Sequence, residues 1–142
     1  MSKGDTFEND WLKLIFQATA IANIADNATT APLTNLYVAL HTADPGEAGT
    51  QATNEATYTG YARVSVARSA GGWTVTANSV SPVAAISFGA CTAGTNTITH
   101  WSVGVAVSGA TKLLYSGTVT PNISVTNGVT PQLTTASTIT ED

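Results

Sequence analysis

Charge is the first property of which this chain has little. Asp, Glu, Lys and Arg make up 10% of its 142 residues, whereas an ordinary soluble domain carries about 25%. Freely diffusing enzymes generally rely on surface charge for solubility, so this composition favours a protein whose surface becomes covered by partners. Small and β-branched residues replace the charged ones, which suits closely packed extended strands.

Basic residues, cysteine and histidine are scarce as well. The five basic residues are scattered, and the formal net charge is −4. Without a basic stripe to neutralise phosphates, the chain is not expected to bind nucleic acid. Cys91 is the one cysteine, which excludes an intrachain disulfide and a cysteine-based zinc site. Because His41 and His100 stand at no recognisable ligand spacing, we expect no metal and no cofactor.

Long apolar runs, heptads and internal repeats are also missing. The longest apolar stretches are too short and too broken to span a membrane, so no membrane partner is expected. The opening residues MSKGDTFEND are polar and acidic and show no signal-peptide pattern, which predicts synthesis in a cytoplasm without secretion. The length predicts a single domain over residues 1–142.

An amphipathic helix is predicted at the start of the chain, over residues 5–26. Asp5 and Glu8 form a capping-box pattern, and acidic side chains suit the positive end of a helix. Apolar side chains then recur at three- and four-residue spacing, at Phe7, Trp11, Leu14, Ile15, Ala18, Ile21 and Ala22. This apolar stripe either faces the core of the domain or packs on a neighbouring subunit.

Residues 33–142 are predicted to be mainly β, as a β-sandwich or jelly roll of about eight strands. Two hairpins are expected, one around Ser108-Gly109 and one around Asn127-Gly128, because both pairs are turn signals between strand-like runs. The predicted strands cover residues 36–41, 61–68, 73–76, 84–88, 98–107, 112–120, 123–126, a run from 129, and 137–140.

The stretch LYVALHTADPGEAGTQATNEATYTGYARVSVAR, residues 36–68, concentrates the charge that the rest of the chain lacks. Asp44-Pro45-Gly46 predicts a type II turn, which leads into a polar loop over residues 42–60. Arginine suits desolvated ion pairs at interfaces, so Arg63 or Arg68 is expected to pair with acids of this loop or of a neighbouring subunit. The predicted protein-interface residues are Trp11, Asp44, Glu47, Glu55, Arg63 and Arg68.

The same residues allow other functions. The three loop acids could be paired catalytic acids or calcium ligands, but glycosidases hold their carboxylates across a cleft on rigid elements. No Asp-x-Asp-x-Asp calcium spacing is present. We therefore predict that the chain is not an enzyme. A sugar-stacking surface of aromatic residues is a further alternative, formed by Trp73, Trp101, Tyr58 and Tyr61.

Residues 36–68, together with GGWTV at 71–75 and LLYSGTVTP at 113–121, resemble a family of small virion proteins of tailed bacteriophages. The resemblance extends over nearly the whole chain, from the FENDWLKLIF segment to the acidic C-terminus. Members of this family carry the labels capsid cement (decoration) protein or tail-fibre protein. The resemblance implies a phage structural protein located in the virion, and it brings no catalytic residues.

Between the two labels, the sequence favours the capsid, because a tail fibre usually needs a repetitive or coiled-coil shaft. The primary prediction is a capsid cement protein that binds the major capsid protein on the outer surface of the shell. Binding to the mature head alone would stabilise it by mass action. Self-association as a dimer or trimer on a symmetry axis is expected. The alternative is a tail-fibre or adhesin-type binding module.

Overall fold

The computed structural model describes residues 5–21 and 33–141. Within these residues there are one α-helix and nine β-strands, which form antiparallel sheets and confirm the predicted mainly β class. The elements are α1 (Asp5–Gln17), β1 (Asn35–His41), β2 (Val64–Ala67), β3 (Trp73–Thr76), β4 (Ser79–Pro82), β5 (Ile86–Ser87), β6 (Asn96–Gly104), β7 (Leu113–Val125), β8 (Gln132–Leu133) and β9 (Ile139–Thr140).

The chain divides into two compact units. Unit 1 consists of Met1–Asn35, Val66–Ala85 and Leu133–Asp142, and unit 2 consists of Leu36–Ser65 and Ile86–Gln132. The chain thus passes between the units several times, which is why no linker is visible in the sequence. The single-domain organisation inferred from length stays a prediction.

Unit 1 contains α1 and a three-stranded sheet in the order β3-β4-β9. Its core is aromatic and aliphatic, because Leu12 and Phe16 of the helix and Trp73 of β3 are fully buried. The rings of Phe16 and Trp73 meet edge to face, with their centroids 4.7 Å apart. The side chain of Gln17 donates to the carbonyl of Trp73 at 2.8 Å. The helix therefore packs on the core through Leu12 and Phe16, which were not part of the predicted stripe, whereas Trp11 of that stripe is exposed.

Helix α1 is shorter than the predicted span of residues 5–26. It ends at Gln17, and Ala18 has a φ of 55°, a left-handed conformation that commonly ends a helix. Residues 18–20 have no helical structure, and the predicted helical residues 22–26 lie outside the described residues. Because glycine is the usual residue at such an end, nothing in the sequence marks Ala18 as the end of the helix.

Unit 2 contains most of a four-stranded sheet in the order β2-β1-β6-β7. Strand β6 pairs antiparallel with β1 and with β7. The register places Val38 opposite Val103 and Leu40 opposite Trp101, and all four side chains are buried. Because side chains alternate across a strand, these residues form the apolar face of the sheet.

The opposite face of the same sheet is polar. Here His41 lies opposite His100, Ala39 opposite Ser102, and Tyr37 opposite Gly104. His41 and Ser102 are fully buried although they are polar. Buried polar groups need hydrogen-bond partners, and the loop that follows β1 supplies them, as described below.

The predicted hairpin around Ser108-Gly109 is confirmed. Strands β6 and β7 pair antiparallel and are joined by residues 105–112, which have no regular structure. Strand β7 then continues to Val125 and unites two of the predicted strands. The register shifts between Ile98 and His100 at the point where Pro121 lies in β7. A proline and an irregular register both hinder pairing of an edge strand with another chain.

The second predicted hairpin, around Asn127-Gly128, is wrong. A turn does form there, with Val129 N donating to Thr126 O at 3.0 Å and Gly128 at a φ of 87°. The chain that leaves the turn does not pair with β7, because Cys91 N donates to Val129 O at 2.8 Å. Strand β8 pairs with β5 instead. The turn signal was therefore correct, but the pairing partner was not.

Candidate protein-interaction site

Two of the predicted interface residues, Glu55 and Arg63, come together at the end of strand β1. Residues 54–56 return along the end of this strand, where Ala56 N donates to Leu40 O at 2.9 Å. Arg63 stands directly before β2, which is the neighbour of β1 in the sheet. Both side chains therefore lie at the same end of β1.

Arg63 and Glu55 form a bidentate ion pair. Nε of Arg63 lies 2.7 Å from Oε1 of Glu55, and Nη2 lies 2.8 Å from Oε2. Only 1% of the Arg63 side chain and 19% of the Glu55 side chain are exposed to solvent. The fork of the guanidinium matches a carboxylate in this geometry. The prediction that Arg63 pairs with an acid of the loop is confirmed.

The same guanidinium also binds the connection between β6 and β7. Nη1 donates to Ala106 O at 3.0 Å and to the Thr111 hydroxyl at 3.1 Å, and Nη2 donates to Gly109 O at 2.8 Å. A buried charge is costly unless all its donors find partners. Arg63 satisfies that requirement within its own chain, so it ties the loop of Glu55 to the connection 105–112.

Tyr61 completes the surroundings of Glu55. Its hydroxyl donates to Glu55 Oε1 at 2.9 Å and accepts from Leu40 N at 3.1 Å. Burial raises the pKa of the Tyr61 hydroxyl far above its usual value. The hydroxyl therefore stays protonated at neutral pH and remains a donor to the carboxylate.

Gln51 extends the polar contacts towards the sheet. Its side-chain nitrogen donates to Tyr37 O at 2.9 Å and to the Ser102 hydroxyl at 3.3 Å, and its oxygen accepts from Arg63 Nη1 at 3.3 Å. Gly104 makes room for this side chain, because a Cβ on Gly104 would lie 2.1 Å from the Gln51 amide carbon. Gln51 is fully buried and was not predicted to have a role.

His41 lies at the other end of these contacts. Its Nδ1 lies 2.9 Å from Thr53 O, and its Nε2 lies 2.8 Å from the Ser102 hydroxyl. A carbonyl only accepts, so Nδ1 carries the proton and Nε2 accepts from Ser102. Burial lowers the pKa of His41 and favours this neutral form. The connected side chains are called the Arg63 cluster: His41, Ser102, Gln51, Arg63, Glu55 and Tyr61.

The two remaining loop acids, Asp44 and Glu47, are exposed. Asp44 Oδ1 accepts from Gly46 N at 2.8 Å, and the side chain of Asn54 donates to Asp44 O at 3.0 Å. Gly46 has a φ of 70°, as the predicted type II turn requires. These bonds attach the acidic part of the loop to the residue that precedes Glu55.

Arg68 has a different environment, in unit 1. Its guanidinium donates to the carbonyls of Leu14 and Ile15 in the last turn of α1 and to Leu33 O. Desolvation lowers the pKa of Arg68. No acid of the described ranges pairs with it, so of the two arginines only Arg63 forms the expected kind of ion pair. A positive charge at this place stabilises the negative end of the helix.

Trp11 is the last of the predicted interface residues. It lies on α1 with 38% of its surface exposed, whereas Leu12 and Phe16 are fully buried. Of the six predicted residues, the structure brings Glu55 and Arg63 together and leaves Asp44, Glu47 and Trp11 at the surface. Whether any of them contacts a partner stays a prediction.

The alternative of a sugar-stacking surface is wrong. Trp73, Trp101 and Tyr58 are buried, and the hydroxyl of Tyr58 is bonded to Gly89 O at 3.0 Å. The ring of Tyr61 lies parallel to that of Phe88, with the centroids 6.2 Å apart. Trp73, Trp101 and Tyr58 thus belong to the core, and the half-buried Tyr61 alone does not form a stacking surface.

Within residues 5–21 and 33–141, no three His, Cys, Asp or Glu side chains form a group that could hold a metal ion. The helix found in the same residues is too short to cross a membrane.

A comparison with protein families gives the class of this chain. The family model described as Podophage GP4 fiber I protein gp80 matches residues 3–140. The class is therefore that of bacteriophage virion structural proteins. Within this class, the chain belongs to the family of the podophage fibre I protein gp80. The description of the family names a fibre and does not name the capsid. No curated protein matches the chain.

Proposed function

We propose that this chain is a fibre component of a short-tailed phage and that it works by binding other virion proteins, not by catalysis. The match of residues 3–140 to a podophage fibre family is the observation that carries the proposal. This reverses the preference drawn from the sequence, where the tail fibre was the alternative to a capsid cement protein.

The Arg63 cluster supports a binding role. The oxygens of Glu55 are occupied by Arg63 and Tyr61, so this carboxylate is not free to transfer protons to a substrate. Asp44 and Glu47 lie exposed in a loop, without the enclosed site that acid catalysis needs. The polar contacts instead fix two loops of unit 2 in one conformation, which lowers the entropic cost of binding a partner.

The capsid cement protein remains the second candidate. It is favoured by one observation, because α1 has only 13 residues and no described element forms a coiled-coil or repetitive shaft. In that case the partner would be the major capsid protein. For either candidate we propose association of the chain with itself as a dimer or trimer, as is common among virion proteins with closed symmetry.

Labelling of purified particles distinguishes the two candidates. Gold-labelled antibody against the chain is expected to bind at the tail, and quantitative mass spectrometry is expected to find far fewer copies than of the major capsid protein. Antibody bound over the head, together with a copy number close to that of the capsid protein, would establish the second candidate and refute the first. Native mass spectrometry of the purified chain tests the dimer or trimer, which a monomer at all concentrations would contradict.

A further inference from the structure

The connection between β6 and β7, residues 105–112, is irregular but firmly held. Arg63 binds the carbonyls of Ala106 and Gly109, and Gln51 N donates to Thr111 O at 3.1 Å. Three points of this short connection are thus anchored to buried groups. Loops with such anchors have little conformational freedom to lose when they bind a partner.

Apart from Lys112 at its end, the outer side of this connection is uncharged and carries one large apolar side chain. Val107 is 61% exposed, the highest value among the exposed large apolar side chains of the described residues. Residues 108–110 are exposed as well, and residues 105–111 contain no charged and no aromatic side chain. A single exposed valine is ordinary on a protein surface. A valine at the tip of a loop that a buried arginine holds in place is less common.

The acidic part of the loop is attached to the same cluster. Asn54 binds the backbone of Asp44, and the next residue, Glu55, forms the ion pair with Arg63. Arg63 in turn holds the connection of Val107. Residues 43–48, with the exposed Asp44 and Glu47, are therefore fixed relative to residues 105–111 within unit 2.

We propose that residues 105–111 and 43–48 form one preformed docking surface that inserts Val107 into an apolar recess of another virion protein. Basic side chains of that partner face Asp44 and Glu47. The buried Arg63 does not contact the partner but holds the two segments in place. The location of the partner in the virion rests on the proposed function. The contact residues themselves rest on the geometry of unit 2.

The charges of the docking surface select the class of partner. Two exposed acids repel nucleic acid and anionic lipid. Sugars stack on aromatic rings, and neither segment contains one. A protein with an apolar recess and basic side chains beside it is complementary to this surface.

A second copy of the chain offers few basic side chains to this surface. Arg63 and Arg68 are committed to internal contacts, which leaves only the lysines among the five basic residues. One of these, Lys112, directly follows the docking surface itself. A different virion protein is therefore the partner. An apolar tip also suits a permanent contact inside the particle, because a surface that binds a host receptor must first stay exposed to water.

Complementation of a phage that lacks the gene tests the docking surface. The variant Val107→Asp is expected to lower the copies per particle about tenfold or more, since a charge at the centre of an apolar contact is among the costliest changes. The matched control is Val83→Asp in unit 1, where the valine is 47% exposed and incorporation is expected to match that of the unmodified chain. Thermal unfolding of both purified variants checks that each is folded.

The charge of the partner is tested in the same assay. Glu47→Lys is expected to lower incorporation more than Glu47→Gln, because only the lysine repels basic side chains of the partner. Normal incorporation of Val107→Asp, or an equal loss in Val83→Asp, would overturn the docking surface. Normal incorporation with loss of adsorption to host cells would overturn the choice of a virion partner. If antibody labels the head and Val107→Asp is poorly incorporated into particles, the fibre assignment is refuted and the docking surface stands.

Discussion

Arg63 and Arg68 are five residues apart in the sequence, yet they belong to different units and serve different ends. Arg63 is almost fully buried and binds a carboxylate together with three acceptors of a distant loop. Arg68 is partly exposed and binds carbonyls at the end of α1. One or the other had been expected to pair with acids, and Arg63 does so.

The comparison shows that the acceptors around an arginine decide its role. Beside β1, the returning loop presents Glu55 to Arg63, and the guanidinium becomes part of a buried polar cluster. At the end of α1, the unpaired carbonyls of the last helical turn attract Arg68. The first arrangement fixes tertiary structure between distant segments, whereas the second completes one helix. Their loss should therefore have different consequences.

The largest effect is expected from Arg63→Met. This change leaves the Glu55 carboxylate without its counter-charge and two loop carbonyls without donors, which lowers the free energy of unfolding by about 3–5 kcal/mol. Urea denaturation of the purified variant measures it. A loss below about 1 kcal/mol would mean that the pair behaves like an exposed surface salt bridge.

Gly104→Ala tests whether Gln51 needs the space above β6. A methyl group there would collide with the Gln51 side chain, so we expect a loss of about 1–3 kcal/mol. The control is Gly117→Ala on β7, where the nearest atom to an added Cβ is Trp101 Nε1 at 3.6 Å. The control should change stability by less than Gly104→Ala in the same urea titration. Equal effects would show that the strand, not Gln51, is sensitive.

Arg68→Met is expected to cost less than Arg63→Met. It removes hydrogen bonds and a favourable charge at the end of α1, together worth about 1–2 kcal/mol, and leaves no buried carboxylate unpaired. The comparison of the two variants in one urea titration is the measurement. A loss as large as that of Arg63→Met would contradict the distinction between the two arginines.

His41 is expected to make stability depend on pH. Because burial lowers its pKa in the folded protein below the usual 6.5, the unfolded chain binds the proton more tightly. The free energy of unfolding should therefore be highest above about pH 6.5 and fall as the pH decreases below it. The slope approaches about 1.4 kcal/mol per pH unit until the folded-state pKa is reached.

Substitution separates His41 from other groups that titrate in acid. Urea denaturation from pH 8 to pH 5 is compared for the unmodified chain, His41→Gln and His100→Gln. The part of the slope that His41 causes disappears only in His41→Gln. A slope that persists unchanged in that variant would show that protonation of His41 does not cause the loss of stability in acid.

Much of the fold followed from local signals in the sequence. The bounds of β3 were predicted as observed, because Gly71-Gly72 and Trp73 mark a turn and a strand start. The hairpin of β6 and β7 followed from Ser108-Gly109. The early end of α1 did not, since Ala18 adopts a conformation that its residue type does not favour. Pairing of β8 with β5 depends on tertiary contacts that no turn signal contains.

The candidate site was predictable only in part. Glu55 and Arg63 stood out because charge is rare in this chain and opposite charges pair. Ala106 and Gly109 contribute only backbone carbonyls, which every residue has, so their part in the site leaves no trace in the sequence. Gln51 and Gly104 act through a steric fit across two segments, which appears only when the sheet is built.

A double-mutant cycle on Glu55 and Arg63 tests the central claim, that this pair holds the two loops from inside the molecule. Unfolding free energies are compared for Glu55→Gln, Arg63→Met and the double variant. We predict a combined loss smaller than the sum of the single losses by about 2 kcal/mol or more, because each single change leaves the other group buried and unpaired. Additive losses would contradict the account.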